Sequence, residues 1–215
     1  MGKLNAATER RIFFREVRES LFSGRLRQTQ VEGLDAILNG WAGLTDVACR
    51  SAGGDEALAY LLATAFHETA ATMQPVRETL ALSDAEAVIR LEKAFAAGRL
   101  SAVKTPYWRP DAEGRTWLGR GFVQLTHRRN YEAMSALTGI DLASDPGRAM
   151  EMKVAVAILI GGMRMGSFTG YGLGDYFGNG EADWIGARKI INGTDRAELV
   201  AVYARAFRAA LPAAH

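Results

Sequence analysis

The sequence predicts a mainly α-helical single domain with one small β-hairpin region. Three observations carry this reading. Apolar residues recur at helical spacing through most of the chain. Several of those runs are preceded by Ser, Thr or Asp with Glu three residues later, the signature of a capped helix start. Glycine, proline and aromatic residues instead concentrate in two stretches, 103–125 and 166–180. At 215 residues the chain suits one domain, or one domain in two lobes, with room for a sizeable core. Apolar residues make up 48%, which excludes a disordered chain.

The elements follow in order. Residues 6 to 22 place Ile12, Phe13, Val17 and Leu21 at helical spacing. Thr29 with Glu32 predicts a capping box, and the helix behind it should bury Val31, Leu34, Ile37 and Leu38. In GGDEALAYLLATAFHETA, Asp55 caps or enters a helix lined inside by Leu58, Leu61, Leu62, Ala65 and Phe66. Ser83 with Glu86 opens a further helix that stops at Gly98. Between 103 and 125, Pro106, Pro110, Gly114, Gly119 and Gly121 interleave with Tyr107, Trp108 and Trp117, which reads as a loop with a short hairpin. Helix resumes near Asn130. Asp145 followed by Pro146 predicts the start of a helix running through the apolar segment 154 to 160. A turn-rich stretch and a short helix over 182–190 follow, and Asp195 with Glu198 should cap a last helix ending before Pro212.

Several function classes are disfavoured. A formal charge of +2 is too small to imply a nucleic-acid partner. The basic residues Arg10, Arg11, Arg15, Arg18, Arg25 and Arg27 fit the wet face of helices. One cysteine, Cys49, permits no intrachain disulfide. The longest apolar run, VAVAILIGGM from 154 to 163, is too short for a membrane span. The first residues lack the pattern of a signal peptide, so the expectation is a protein made in the cytoplasm and delivered by lysis or by another protein. The run HETAA is not the zinc motif HExxH, and the other histidines, His127 and His215, add no metal-ligand spacing. GRG lacks the lysine and hydroxyl of a phosphate loop, and no G-x-S-x-G elbow is present. No cofactor and no metal are expected.

The chemistry concentrates in three short stretches. In AFHETAATMQPVRETL, Glu68 lies three residues after Ala65, seven after Leu61 and ten after Leu58, on the apolar face of its helix. A carboxylate there must be paired, hydrogen-bonded or open to a cleft; a solvated glutamate near a helix end is the alternative. His67 beside it reads as an orienting hydrogen-bonder. In GRGFVQLTHRRNY, residues 119 to 131, Gln124, Thr126 and Asn130 are uncharged polar groups able to bond sugar hydroxyls, amides or a water, although the stretch also fits a hairpin corner entering a helix. In ARKIINGTD, Asn192 and Gly193 signal a turn, and an asparagine there can face a cleft.

Taken together, HET at 67–69, GRGFVQLTHRRNY and KIING at 189–193 resemble glycoside hydrolase family 19, which contains chitinases and phage-type endolysins. The resemblance spans about residues 60 to 200 and implies a bilobal, lysozyme-like helical domain, here a single catalytic domain over 1–215 with a central cleft. It implies Glu68 as general acid. A second carboxylate would activate water, and inversion needs about 6.5–9.5 Å between the two to admit it. Glu78 is the candidate base, with Glu86 and Glu92 as competitors that fit an exposed helix face. Thr126 would help hold the water. Gln124 and Asn192 would bind sugar, Asn130 and Tyr131 would contact sugar or support the cleft, and Arg188 or Lys189 would tune the carboxylates or bind sugar. Trp108, Tyr107 and Trp117 would stack on sugar or pack inside. Where the family often carries glycines after HE, this chain has Ala70 and Ala71, which predicts a less open turn. The implied partner is a cell-wall glycan, acted on by a monomer. Peptidoglycan is the expected substrate, with chitin, or glycan binding without cleavage, as the alternatives.

Overall fold

The computed structural model describes residues 2–44, 54–178 and 181–212, with side chains from residue 7 onward. Cys49 and His215 lie outside the described residues. The fold is mainly α, as expected. Its helices are α1 (Gly2–Leu21), α2 (Gln28–Ala42), α3 (Gly54–Glu68), α4 (Asp84–Ala96), α5 (Arg128–Thr138), α6 (Met152–Arg164) and α7 (Ala197–Ala210). Two two-residue ribbons complete it. β1 (Val76–Arg77) pairs antiparallel with β2 (Arg120–Gly121), and β3 (Phe177–Gly178) pairs with β4 (Glu181–Ala182). Among the described residues no helix is long and apolar enough to cross a membrane.

α3 is the central helix because it is apolar all round; every residue from Ala57 to Phe66 is buried. Leu61 and Leu62 are fully enclosed, and burying each contributes about 2 kcal/mol. α1 and α7 close over it through Phe13, Phe66 and Phe207. A second, smaller cluster of Ala81, Ala87, Leu91, Trp108 and Leu118 joins α4 to the 103–118 loop. The hydrophobic interior is therefore in two parts, and the β1–β2 ribbon runs beside the smaller one.

α3 ends in a way that fixes Glu68. Ala71 N–H donates to Phe66 O at 2.7 Å and Ala70 N–H to His67 O at 3.2 Å. This six-to-one and five-to-two pairing is the Schellman ending, which usually places glycine at the left-handed position. Here Ala70 (φ 49°) and Ala71 (φ 62°) adopt it instead. Alanine takes up glycine's conformation in this turn, at about 1–2 kcal/mol per residue. Contacts within the turn and from α2 hold it. Thr69, fully buried, donates to Ala65 O at 2.7 Å and accepts from Met73 N–H at 3.1 Å. Gln30 donates to Ala71 O at 2.9 Å. α2 approaches so closely that a methyl on Gly33 would lie 1.6 Å from Met73 O.

Four start signals are displaced. α2 opens at Gln28, one residue before Thr29; Gln30 Oε1 accepts the Arg27 N–H at 2.8 Å, so the Thr29–Glu32 box does not form. Val31 in that helix is half-buried, whereas Leu34, Ile37 and Leu38 are buried as expected. Asp145 does cap, accepting from Gly147 N–H at 3.0 Å, but it opens only the tight turn Pro146–Met150. Glu151 is extended there and α6 starts afresh at Met152, because Ala149 O packs against Gly121, where a methyl would stand 3.2 Å away. The helix expected over 182–190 is β4 followed by a 3-10 turn over Gly186–Ile190. α7 has no side-chain cap; Arg196 precedes it at φ 56°. The Ser83 start and the Gly98 stop form as read: Ser83 Oγ accepts from Glu86 N–H at 3.2 Å, and Arg99 N–H donates to Ala94 O at 3.0 Å.

Candidate functional site

Glu68 is the last residue of α3, and its side chain is 16% exposed. Its Oε1 accepts from Arg188 Nη1 at 2.7 Å. Arg188 is 1% exposed, projects from the Gly186–Ile190 turn, and also donates through Nε to Asp195 O at 2.7 Å. A guanidinium this buried needs an opposite charge, because its desolvation exceeds what one neutral hydrogen bond returns. Glu68 supplies it across 120 residues of chain. Of the two basic candidates it is Arg188 that pairs with Glu68; Lys189 is exposed. Glu68 Oε2 has no partner among the described residues.

His67 does not orient Glu68. Its half-buried ring lies 6.3 Å from that of Tyr203 and makes no hydrogen bond among the described residues, so Arg188 does the orienting instead. Burial lowers the His67 imidazole, outweighing the nearby Glu68 carboxylate. His127 is lowered too, by burial and then by Arg129, against Glu78. Both shifts have one thermodynamic sign. An unfolded imidazole titrates near about 6.5, and the folded chain binds those protons less readily. Stability is then fully present above about 6.5 and falls as pH drops through the folded values. The thermal midpoint should decrease between pH 7 and 6, and His67→Gln/His127→Gln should flatten that slope; an unchanged slope would refute the assignment.

Glu78 stands at the exit of β1. Its N–H donates to Gly119 O at 2.7 Å, and its Oε2 accepts the Gly119 N–H at 2.8 Å. Its Oε1 accepts from Tyr107 Oη at 2.6 Å. Gly119 matters because a methyl there would meet Gln124 Oε1 at 2.8 Å and Glu78 Cβ at 3.3 Å. Gln124 donates to Val76 O at 3.1 Å, so it spans the ribbon beside Glu78. The competing glutamates have structural partners. Glu86 accepts from Leu82 N–H and Arg90, and Glu92 from Trp108 Nε1 and Arg109. The Arg109 and Trp108 hydrogen bonds hold the Glu92 carboxyl below its ordinary value.

The remaining candidates divide. Thr126 is half-buried, and its hydroxyl has no partner among the described residues. Asn130 Nδ2 donates to Thr126 O at 2.8 Å and braces that turn. Tyr131 is fully buried, donates to Leu118 O and accepts from Arg120, so its ring and hydroxyl are engaged inside the protein. Trp108 is also fully buried and Trp117 is 6% exposed; neither offers a face to sugar. Asn192 is exposed in the turn that returns from Arg188, its carbonyl accepting from Asp195 N–H at 3.3 Å.

Two clusters result: Glu68 with Arg188, and Glu78 with Tyr107, Gly119 and Gln124. Among the described residues no hydrogen bond or ion pair joins the two carboxylates, and residues 69–77 connect them covalently. A further observation marks the same places. Of nine non-glycine residues with positive φ among the described residues, seven are Ala70, Ala71, Met73, Thr79, Leu80, Gln124 and His127. They follow Glu68, follow Glu78 and flank Thr126. Such backbone costs energy and persists where the surrounding structure enforces it, commonly at functional sites. Thr69 and Arg120 were missed by sequence reading, since neither has a local signal of its role. No group of three His, Cys, Asp or Glu able to hold a metal occurs among the described residues. Comparison with protein families and with curated proteins returns no match.

Proposed function

We propose that the chain is an inverting glycoside hydrolase that cleaves β-1,4 bonds between N-acetylated sugars, with peptidoglycan as its substrate. The observation that carries the reading is the clustering of strained backbone behind Glu68, behind Glu78 and around Thr126. Seven of the nine such residues among the described residues lie within five positions of one of those three. The chemistry of each fits its part. Arg188 occupies one oxygen of Glu68 and leaves Oε2 to take up a proton and pass it to the glycosidic oxygen as the bond breaks, a transfer that restores the negative charge facing Arg188. Glu78 has one protein donor on each oxygen, which leaves lone pairs to take a proton from water. The Thr126 hydroxyl is a free donor or acceptor for that water. Water attacks the anomeric carbon from the face opposite the departing sugar, its proton passes to Glu78, and the configuration inverts. The two glutamates then exchange protons with solvent to reset.

Peptidoglycan is preferred to chitin because one cysteine cannot form the disulfides of plant-type chitinases and the chain reads as one compact catalytic domain. Purified peptidoglycan and chitin, incubated side by side, test this. The expected result is new reducing ends from peptidoglycan, first appearing as the α-anomer. Faster release from chitin would reassign the substrate. Retention on glycan without reducing ends would make the chain a binding protein.

A further inference from the structure

Tyr107 reads from sequence as a sugar-stacking or packing residue, and its contacts support a different role. Its hydroxyl donates to Glu78 Oε1 at 2.6 Å. The only other donor to that carboxylate among the described residues is the backbone N–H of Gly119, on Oε2 at 2.8 Å. Two donors on two oxygens fix both the position and the twist of a carboxylate, which one donor cannot do. The Tyr107 ring is itself held. Trp108 packs edge-on at 5.0 Å, and His127 covers it at 4.5 Å from the strained turn beside Thr126. Tyr107 O accepts from Trp117 N–H at 3.2 Å. Trp108 is fully buried and anchored through Nε1 to Glu92 Oε1 at 2.7 Å. Burial first, and then the hydrogen bond to Glu78, push the Tyr107 hydroxyl well above its ordinary value, so it stays a donor across the working pH range.

We infer that Tyr107 is a positioning residue for the base: it acts through Glu78, and the α4–Trp108 cluster exists to hold it there. This rests on the glycosidase reading. The consequence is specific. An interaction that aims a base contributes to the chemical step more than to ground-state binding, so its loss appears in kcat. Phenylalanine keeps the ring and its packing while removing the donor.

The test uses the full chain on soluble peptidoglycan glycan strands. Tyr107→Phe should lower kcat about tenfold or more, leave KM within about twofold and leave the thermal midpoint near the parent value. In a Glu78→Gln background the same change should do nothing further, since residues acting through one group are non-additive. A rise in KM at unchanged kcat would make Tyr107 a sugar contact. An equal loss in both backgrounds would make it merely structural. A parent that cleaves while Tyr107→Phe keeps its kcat overturns this inference alone; a parent that releases no reducing ends overturns the glycosidase reading and this inference with it.

Discussion

Glu68→Gln should reduce reducing-end release by about a thousandfold or more while the protein stays folded. General acid catalysis contributes about 10²–10⁴-fold in rate, and glutamine keeps the shape and the acceptor oxygen but can deliver no proton. The expected stability change is separate and smaller. Arg188, 1% exposed, would keep a hydrogen bond to the amide oxygen and its bond to Asp195 O but lose its counter-charge. That deficit corresponds to about 1–3 kcal/mol, or a drop of several degrees at this chain length. Activity on peptidoglycan, with a thermal melt alongside, separates the effects. Parent-like turnover by the variant would remove Glu68 from the mechanism. A variant that fails to fold would show instead that the Glu68–Arg188 pair is chiefly a structural bridge between α3 and the Gly186–Ile190 turn, and Glu78→Gln would then carry the test of catalysis.

Arg120→Met should be the most destabilising single change away from the two glutamates, by about 3–5 kcal/mol. Arg120 is 1% exposed. Its Nη1 donates to Thr116 O, Leu118 O and Tyr131 Oη, and its Nη2 to Asp84 Oδ2 and Thr116 Oγ1. Burial alone would raise the Asp84 carboxyl; the Arg120 and Arg77 guanidiniums outweigh that and hold it below the ordinary range. Removing the guanidinium leaves Thr116 O and the buried Tyr131 Oη without their donor, leaves Leu118 O with Tyr131 alone, and leaves Asp84 with Arg77 alone. Lysine is no substitute, because one ammonium cannot replace a planar fork that satisfies five acceptors. Urea unfolding measures the loss. A change under about 1 kcal/mol would show that the network is dispensable. Because β1 and β2 pair Arg77 with Arg120, the variant should also loosen Glu78, the next residue along.

Much of the helical frame was legible. α3 follows from the apolar spacing of Leu58, Leu61, Leu62, Ala65 and Phe66, α4 from Ser83 and Gly98, and the end of α7 from Pro212. The misread boundaries have a common cause. Gln30 caps α2 and also reaches Ala71 O, so one side chain serves two distant segments. Asp195 does not cap α7, and its carbonyl receives Arg188. The Asp145 start ends at Met150 because that turn packs on Gly121. Local rules assume that a polar group serves its neighbours, and each of these serves something far away in sequence.

The candidate site divides along the same line. Glu68 could be singled out from its place on an apolar helix face, whereas Glu78 and Thr126 were candidates only through the family resemblance. Tyr107, Trp108 and Tyr131 were not separable, because an aromatic in a loop has the same spelling whether it faces sugar, core or a carboxylate. The sequence by itself determined which long segments coil into helices, because that depends largely on apolar spacing within a few turns. Only the tertiary structure decided that Arg188 meets Glu68, that Tyr107 and Gly119 grip Glu78, and that alanines must take glycine's conformation. Those outcomes depend on where buried charge finds its partner, and partners 29 to 120 residues apart are set by packing.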